Sequence, residues 1–390
     1  MTTGISTLGQ SLNQISSLKR QQTTLADLQF QLSSGRITNK FSGLETNAIV
    51  SQRSRAEFNS LETYSNNIDI AERRLEQMIL SIEELQGQAG NIAGIISGEL
   101  QQGEIDLERV HDLTENILSF MEDLVNSQDN ERYVFGGSAS SERPLSLSGG
   151  TLETFMRGEL ADWQAGTLAT EDLITSYRGV SDNVIGYSAA ISNGDVGTVS
   201  VRADSSLEID YTTLANESGF RDLIVAAQMI NELTVTDTSE VYHIEKIKLD
   251  RTDFDGAVLP TDLPQTPPPS TALPLPPDFT DQTTLDDFNA ENQERADNFF
   301  DVFNDLARMI NNGIDELDRL RFGLESDRAR LAEIQEQHRI DIATVQDTIS
   351  DVENADIDEV AVRLNYLQIQ LEASYRVTGT VGSLSLANFL

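Results

Sequence analysis

The chain is predicted to be mainly α-helical, with long N- and C-terminal helices paired as an antiparallel coiled-coil bundle and an inserted α+β domain at the tip. Three observations carry that prediction. Residues 1–135 and 291–390 contain no proline and keep a helical apolar period. Within them apolar residues recur in sevens, the spacing of a packed helix seam. Eight of the nine prolines fall between residues 259 and 278, in a middle section of different composition. A chain that begins and ends in long amphipathic helices closes most simply as a hairpin, with its ends together.

Residues 1–45 read as an N-terminal assembly helix. Ile5, Leu8, Leu12, Ile15, Leu18, Leu25, Leu28 and Leu32 keep a mostly three-and-four spacing, with one slipped step between Ile15 and Leu18. Residues 46–137 read as the first half of the bundle. Its seam runs through Leu61, Ile68, Leu75, Ile82, Ala89 and Ile96, interleaved by Tyr64, Ala71, Met78, Leu85 and Ile92. Glycines accumulate from Gly87 to Gly103, so a break is expected near Gly98–Gly103, before the pattern restarts at Val110, Leu113, Ile117, Phe120 and Leu124.

Residues 138–259 read as the α+β insert. A Ser- and Gly-rich stretch at 138–150 marks the exit from helix, strands are expected at 198–201, 207–211 and 241–249, and one helix at 220–233. Residues 260–290 form a Pro-rich acidic linker, an extended connector, with a ligand for a proline-binding domain as the alternative. Residues 291–352 supply the second half of the bundle through Phe303, Ile310, Leu317, Leu324, Leu331, Val345 and Val352, with His338 in the one polar place. Residues 353–390 are a C-terminal assembly helix with a seam of Ile357, Val360, Leu364, Leu367 and Leu371. Asp356 sits as its N-cap, and Glu359 follows in capping-box register. Isolated helices of this kind are marginal in water, so both ends are expected to be loose in the monomer and ordered among neighbours.

Composition narrows the function classes. The 390 residues are 38% apolar and 6% aromatic, enough for a buried core. Lys+Arg 27 against Asp+Glu 64 gives a net charge of -37, which repels nucleic acid and anionic membrane. Without cysteine there are no disulfides, thiolate metal sites or thiol nucleophiles. Residues 1–20 lack the continuous apolar stretch of a Sec-type signal, and no apolar run is long enough for a membrane span. A secreted location therefore needs another export route.

Four segments carry a resemblance. LSSGRI at 32–37, YSNNI at 64–68, ERYVFGGS at 131–138, and the C-terminal run Asp356, Arg363, Leu364, Leu371, Ser374, Tyr375, Asn388, Phe389 and Leu390 resemble the flagellin superfamily over about the first 138 and last 100 residues. Within it, Arg132, Tyr133, Val134, Phe135, Gly136 and Gly137, with Arg53 and Arg55 before Tyr64, look more like the hook–filament junction branch, hook-associated protein 3, than like filament flagellin. After LSSGRI the family usually has an acidic pair, where this chain has Phe41, Ser42, Gly43 and Leu44.

The resemblance implies a structural axial protein of the flagellum, exported unfolded by the flagellar type III route without a cleaved signal peptide and assembled outside the cell. Implied partners are flagellin, a hook-side hook-associated protein, other copies of the chain and an export chaperone, with no nucleic acid and no membrane. The implied assembly interface is Ile5, Leu8, Leu12, Ile15, Leu25, Leu28, Leu32, Ile357, Val360, Leu364, Leu367 and Leu371.

Catalysis is not expected. His111, His243 and His338 are scattered, with no HExxH, no paired ligand spacing and no GxSxG elbow. The carboxylates Asp278, Asp281, Asp286 and Asp287 lack the glycine and spacing of a calcium loop. No catalytic, cofactor or metal residues are assigned. A junction protein is favoured, with a filament flagellin and a soluble coiled-coil scaffold as the alternatives.

Overall fold

The computed structural model describes residues 3–102, 104–105, 107–233, 249–250 and 282–387. Most of the expected strand at 241–249, most of the Pro-rich linker, His243, Asp278, Asp281 and the last three residues lie outside them. In chain order the elements are α1 (Thr3–Ser34), a 3-10 turn (Phe41–Leu44), α2 (Asn47–Gln102), β1 (Glu104–Ile105), α3 (Leu107–Val125), β2 (Gln128–Asp129) and β3 (Arg132–Tyr133). There follow a 3-10 turn (Gly137–Ala139), α4 (Thr151–Gln164), α5 (Thr170–Arg178), α6 (Asp182–Ile185), α7 (Ala189–Ser192), β4 (Ser200–Arg202), β5 (Glu208–Asp210), α8 (Ser218–Glu232), β6 (Leu249–Asp250), α9 (Gln282–Glu353) and α10 (Ile357–Ala387). The described chain is mainly helical, and its strands form small antiparallel ladders, β1 with β6, β2 with β3 and β4 with β5.

Two compact units are present, one of residues 67–333 and one of residues 1–66 with 334–390. In the 67–333 unit the seven-residue repeats are the core. Ile68, Leu75, Ile82, Ala89 and Ile96 of α2 are buried, as are Ala71, Met78, Leu85 and Ile92 between them. Phe303, Ile310, Leu317, Leu324 and Leu331 of α9 are buried as well. Polar pairs fix an antiparallel register: Gln86 Nε2 donates to Ile314 O at 3.3 Å, Arg321 meets Glu83 at 3.7 Å, and Arg328 meets Glu76 at 3.4 Å. As expected from its glycines, α2 stops at Gln102.

The insert is more helical than its sequence suggested. Helices α4 to α7 occupy a stretch for which no element was expected; α4 buries Leu152, Met156 and Leu160, and α6 and α7 bury one residue each, Ile185 and Ile191. Helices α5 to α7, of nine, four and four residues, are too short for the apolar period to stand out. The expected helix at 220–233 is α8, and it is the hub of the insert. Buried at Gly219, Phe220 and from Leu223 to Ile230, it packs on α3, α4 and α5.

Helices α8 and α9 cross at paired glycines. A Cβ on Gly313 would lie 2.9 Å from Leu223 Cγ and 3.1 Å from the Gly219 carbonyl oxygen, and one on Gly219 would lie 2.8 Å from Leu317 Cγ. Nearby, buried Asp305 of α9 accepts hydrogen bonds from Tyr177 Oη at 2.7 Å and from Arg178 Nε at 2.8 Å, tying α5 to α9. Burial and the Asp305 bond both raise the Tyr177 hydroxyl well above its ordinary pKa. Burial opposes ionisation of Asp305, but its bonds to Arg178 and Tyr177 prevail and lower it.

The crossing gives a prediction. Gly313→Ala should lower the unfolding free energy in urea by about 1–3 kcal/mol, because two helix backbones must separate. Gly94→Ala, with nothing within 4 Å of the added Cβ, should leave stability unchanged or raise it by about 0.5–1 kcal/mol.

Candidate assembly surface

In the unit of residues 1–66 and 334–390 both chain ends turn at one joint. Helix α1 stops at Gly35, whose φ of +71° is left-handed, a conformation glycine adopts without a Cβ clash. Gly35 N donates back to Gln31 O at 2.8 Å. The next residues then run antiparallel to the turn between α9 and α10. Ile37 N donates to Glu353 O and Ala355 N to Gly35 O, each at 2.8 Å, with Arg36 opposite Asn354. Gln31 Nε2 secures the turn by donating to Ile37 O at 2.9 Å. Here LSSGRI has a physical role: it supplies the left-handed glycine and one side of this short ladder.

Glu353 locks the joint from within. Its buried carboxylate accepts from Ser51 Oγ at 2.6 Å, from Arg55 Nε at 2.6 Å and from Arg55 Nη2 at 2.5 Å. The Arg55 fork, helped by Ser51, overcomes desolvation and holds the Glu353 pKa at about 2. Helix α10 starts at once, because Asp356 Oδ1 accepts from Asp358 N at 3.0 Å and Glu359 N at 3.1 Å, the N-cap expected from sequence. Glu359 does not complete a capping box, since its side chain accepts from Arg363 at 2.6 Å. Further along, His338 is buried at its seam position and stacks on Tyr64, ring centres 6.0 Å apart.

Beyond the joint α1 and α10 pack on one another. Leu28, Val360, Leu367 and Leu371 are buried together, with Leu18, Leu25 and Leu364 partly buried against them. Of the remaining expected interface residues, Leu12, Ile15, Leu32 and Ile357 are exposed, and the side chains of Ile5 and Leu8 lie outside the described residues. Two successive three-residue steps, Leu12 to Ile15 to Leu18, each fall about 60° short of a full turn. The apolar stripe therefore swings around α1, leaving Leu12 and Ile15 58% and 62% exposed while Leu28 is covered.

A second stripe on α10 went unread in the sequence. Val362, Tyr366 and Ile369 are 71%, 69% and 63% exposed, and Val377 continues the row. At 3.6 residues per turn this stripe is centred about 150° from the Val360–Leu371 seam. Helix α10 is thus apolar on two opposing sides, one covered by α1 and one bare. The signal lay in the 3.6 period itself, for 362, 366, 369 and 377 repeat it as well as 360, 364, 367 and 371 do.

The six motif residues Arg132 to Gly137 lie in the other unit. Asn130 and Glu131, both at positive φ, make the tight turn of the β2–β3 hairpin. Phe135 is fully buried, edge-on to Phe220 at 5.3 Å, and its carbonyl accepts from Ala215 N at 2.9 Å. Gly137, at φ +54°, has no room for a Cβ, which would come within 2.4 Å of Val196 Cγ1. The motif is a clasp for the insert.

No protein-family model matches the chain, and neither does any curated protein. Among solved structures it is loosely similar to that of a Vibrio parahaemolyticus protein provisionally named a flagellar hook-associated protein. Identity is 11% and the TM-score 0.43, over 79% of this chain and 97% of that one.

Glu353 also sets a pH dependence. Its folded pKa is depressed below the ordinary 4.5, so its contribution is present above that value and is lost as pH falls toward 2. Glu353→Gln should cost about 1–3 kcal/mol at pH 7. The difference from wild type should narrow between pH 4.5 and 2 when unfolding is followed in urea.

Proposed function

We propose that this chain is a structural axial subunit of the bacterial flagellum, acting at the hook–filament junction on which the flagellin filament assembles. The observation that carries the reading is the two-sided α10. A helix that covers one apolar side within its own chain and leaves Val362, Tyr366 and Ile369 bare has a second partner to find. The motifs LSSGRI and RYVFGG supply the flagellar part of the reading, by resemblance.

In this account the α1–α10 pair is the assembly element: Leu28, Val360, Leu367 and Leu371 hold the two helices together, and the exposed Leu12, Ile15, Leu32 and Ile357 with the bare α10 stripe face neighbouring subunits. Its partners would be other copies, a hook-side hook-associated protein and flagellin. An export chaperone would shield the bare stripe beforehand, and the chain would work outside the cell after type III export. The role is structural rather than catalytic. His111 Nε2 pairs with Leu233 O at 2.9 Å and His338 stacks on Tyr64, so both described histidines serve packing.

The test is a pair of variants. Tyr366→Asp with Ile369→Asp should leave the monomer's thermal melt within about 1 °C of wild type, since exposed sites contribute little to folding, yet abolish incorporation into hook-tipped flagella. Leu367→Asp should instead release α1 from α10, read as faster proteolysis of both ends. Equal incorporation of the double variant would remove the reading. A junction subunit has unlike neighbours on its two sides and should not propagate alone. Deletion strains should therefore keep hooks, lack filaments and shed flagellin, whereas long homopolymers of the purified chain would point to the flagellin alternative.

A further inference from the structure

A groove of about 670 Å3 runs between α2 and α3, within the 67–333 unit. Arg73, Leu80 and Glu84 line it from α2, and Phe120, Asp123 and Leu124 line it from α3. Its apolar part is bare, for Leu80 is 58% exposed and Phe120 is half-buried. Four carboxylates and one arginine share the lining. Glu76 meets Arg328 at 3.4 Å and Asp129 meets Arg74 at 3.1 Å, whereas Glu84 and Asp123 are exposed and make no ion pair among the described residues. An apolar groove edged by unmet negative charge fits an apolar group flanked by cations.

The chain carries such a group in its other unit. The first 56 residues hold six basic side chains against two carboxylates, Asp27 and Glu45, although the whole chain has 27 basic and 64 acidic residues. Arg36, Lys40 and Arg53 are exposed there, and Lys40 and Arg53 make no ion pair among the described residues. Between them in sequence, Phe41, Ile49 and Val50 are exposed as well. Phe41 lies on the 3-10 turn that precedes α2, and Ile49 and Val50 lie on the first turn of α2. Both surfaces are bare in the single chain, and neither involves the stripe on α10.

We propose that a second copy of this chain fills the groove. Its Phe41, with Ile49 and Val50, meets Leu80 and Phe120, and its Lys40 and Arg53 face Glu84 and Asp123. The two surfaces differ, so the contact is heterologous and runs from copy to copy, closing a ring where the rotation between copies closes. The net charge of -37 does not forbid it. At physiological salt, exposed charges more than about 8 Å apart are largely screened, so the local pairing decides once the surfaces touch.

The experiment is crosslinking between two full-length chains, each given one thiol. Ser42→Cys, beside Phe41, is mixed with Ser81→Cys, on the groove wall, at about 0.1 mM, where a contact as weak as that Kd is substantially formed. A short bismaleimide should then give about fivefold or more dimer than it gives between Ser42→Cys and Ser326→Cys, an exposed site on α9 outside the groove. Adding Glu84→Lys and Asp123→Lys to the Ser81→Cys chain should bring the yield down to that control. Adding Lys40→Glu and Arg53→Glu to the Ser42→Cys chain should then restore it, because the charges are exchanged rather than lost. All four charged sites are exposed, so the thermal melts should be unchanged. A yield no higher than the control, a charge reversal without effect, or an exchange that fails to restore the yield overturns the proposal. It is equally overturned if a synthetic Lys/Leu amphipathic helix shields Ser81→Cys from maleimide at concentrations where the wild-type chain does not, which would assign the groove to a different protein. No substituted residue belongs to the α10 stripe, so failure here is distinct from failure of the function proposed above.

Discussion

Glu353 is the point on which the arrangement of the chain ends depends. It is the last residue of α9, its carbonyl accepts the backbone of the loop leaving α1, and its carboxylate is gripped by Ser51 and Arg55 of α2. One residue thus links segments from both ends of the sequence, in backbone and side chain together. Removing the half-exposed Arg55 would strand the buried Glu353 carboxylate without its cation, so the joint resists partial opening. The helices α1 and α10 leave this joint already oriented toward each other, and their few leucine contacts need only hold what the joint has aligned.

That economy leaves apolar surface over. A fully self-sufficient pair would bury both stripes of α10, whereas only the Val360–Leu371 side is covered by α1. In a chain of net charge -37, long-range forces push copies apart. Any association of copies would then have to rely on short-range apolar contact, of the kind the bare Val362, Tyr366 and Ile369 could offer.

Much of this was legible in the sequence, for definite reasons. The heptads of α2 and α9 appear in the structure as buried rows because a seven-residue repeat leaves a helix few other faces to bury. Asp356 could be read as an N-cap because capping is local. The grip of Glu353 on Arg55 could not, since it joins residues 298 apart and only a helix register supplies that distance. Three helices of the insert, α5 to α7, were missed for want of length. The second stripe of α10 was overlooked because a helix apolar on two sides shows no single dominant face. The expected interface was read as one surface, but the structure divides it: Leu28, Val360, Leu367 and Leu371 meet within the chain, while Leu12, Ile15, Leu32 and Ile357 stay exposed.

The absence of cysteine makes the central claim directly measurable. A single Ile369→Cys substitution places the chain's sole thiol on the bare side of α10, and a single Leu367→Cys places it on the covered side. Maleimide labelling should be fast for Ile369→Cys in the monomer and blocked once the protein is assembled onto hooks, while Leu367→Cys should label slowly in both states. Ile369→Cys labelling as fast in assembled flagella as in the monomer would contradict the account, because the side of α10 held to seek a neighbour would then have none.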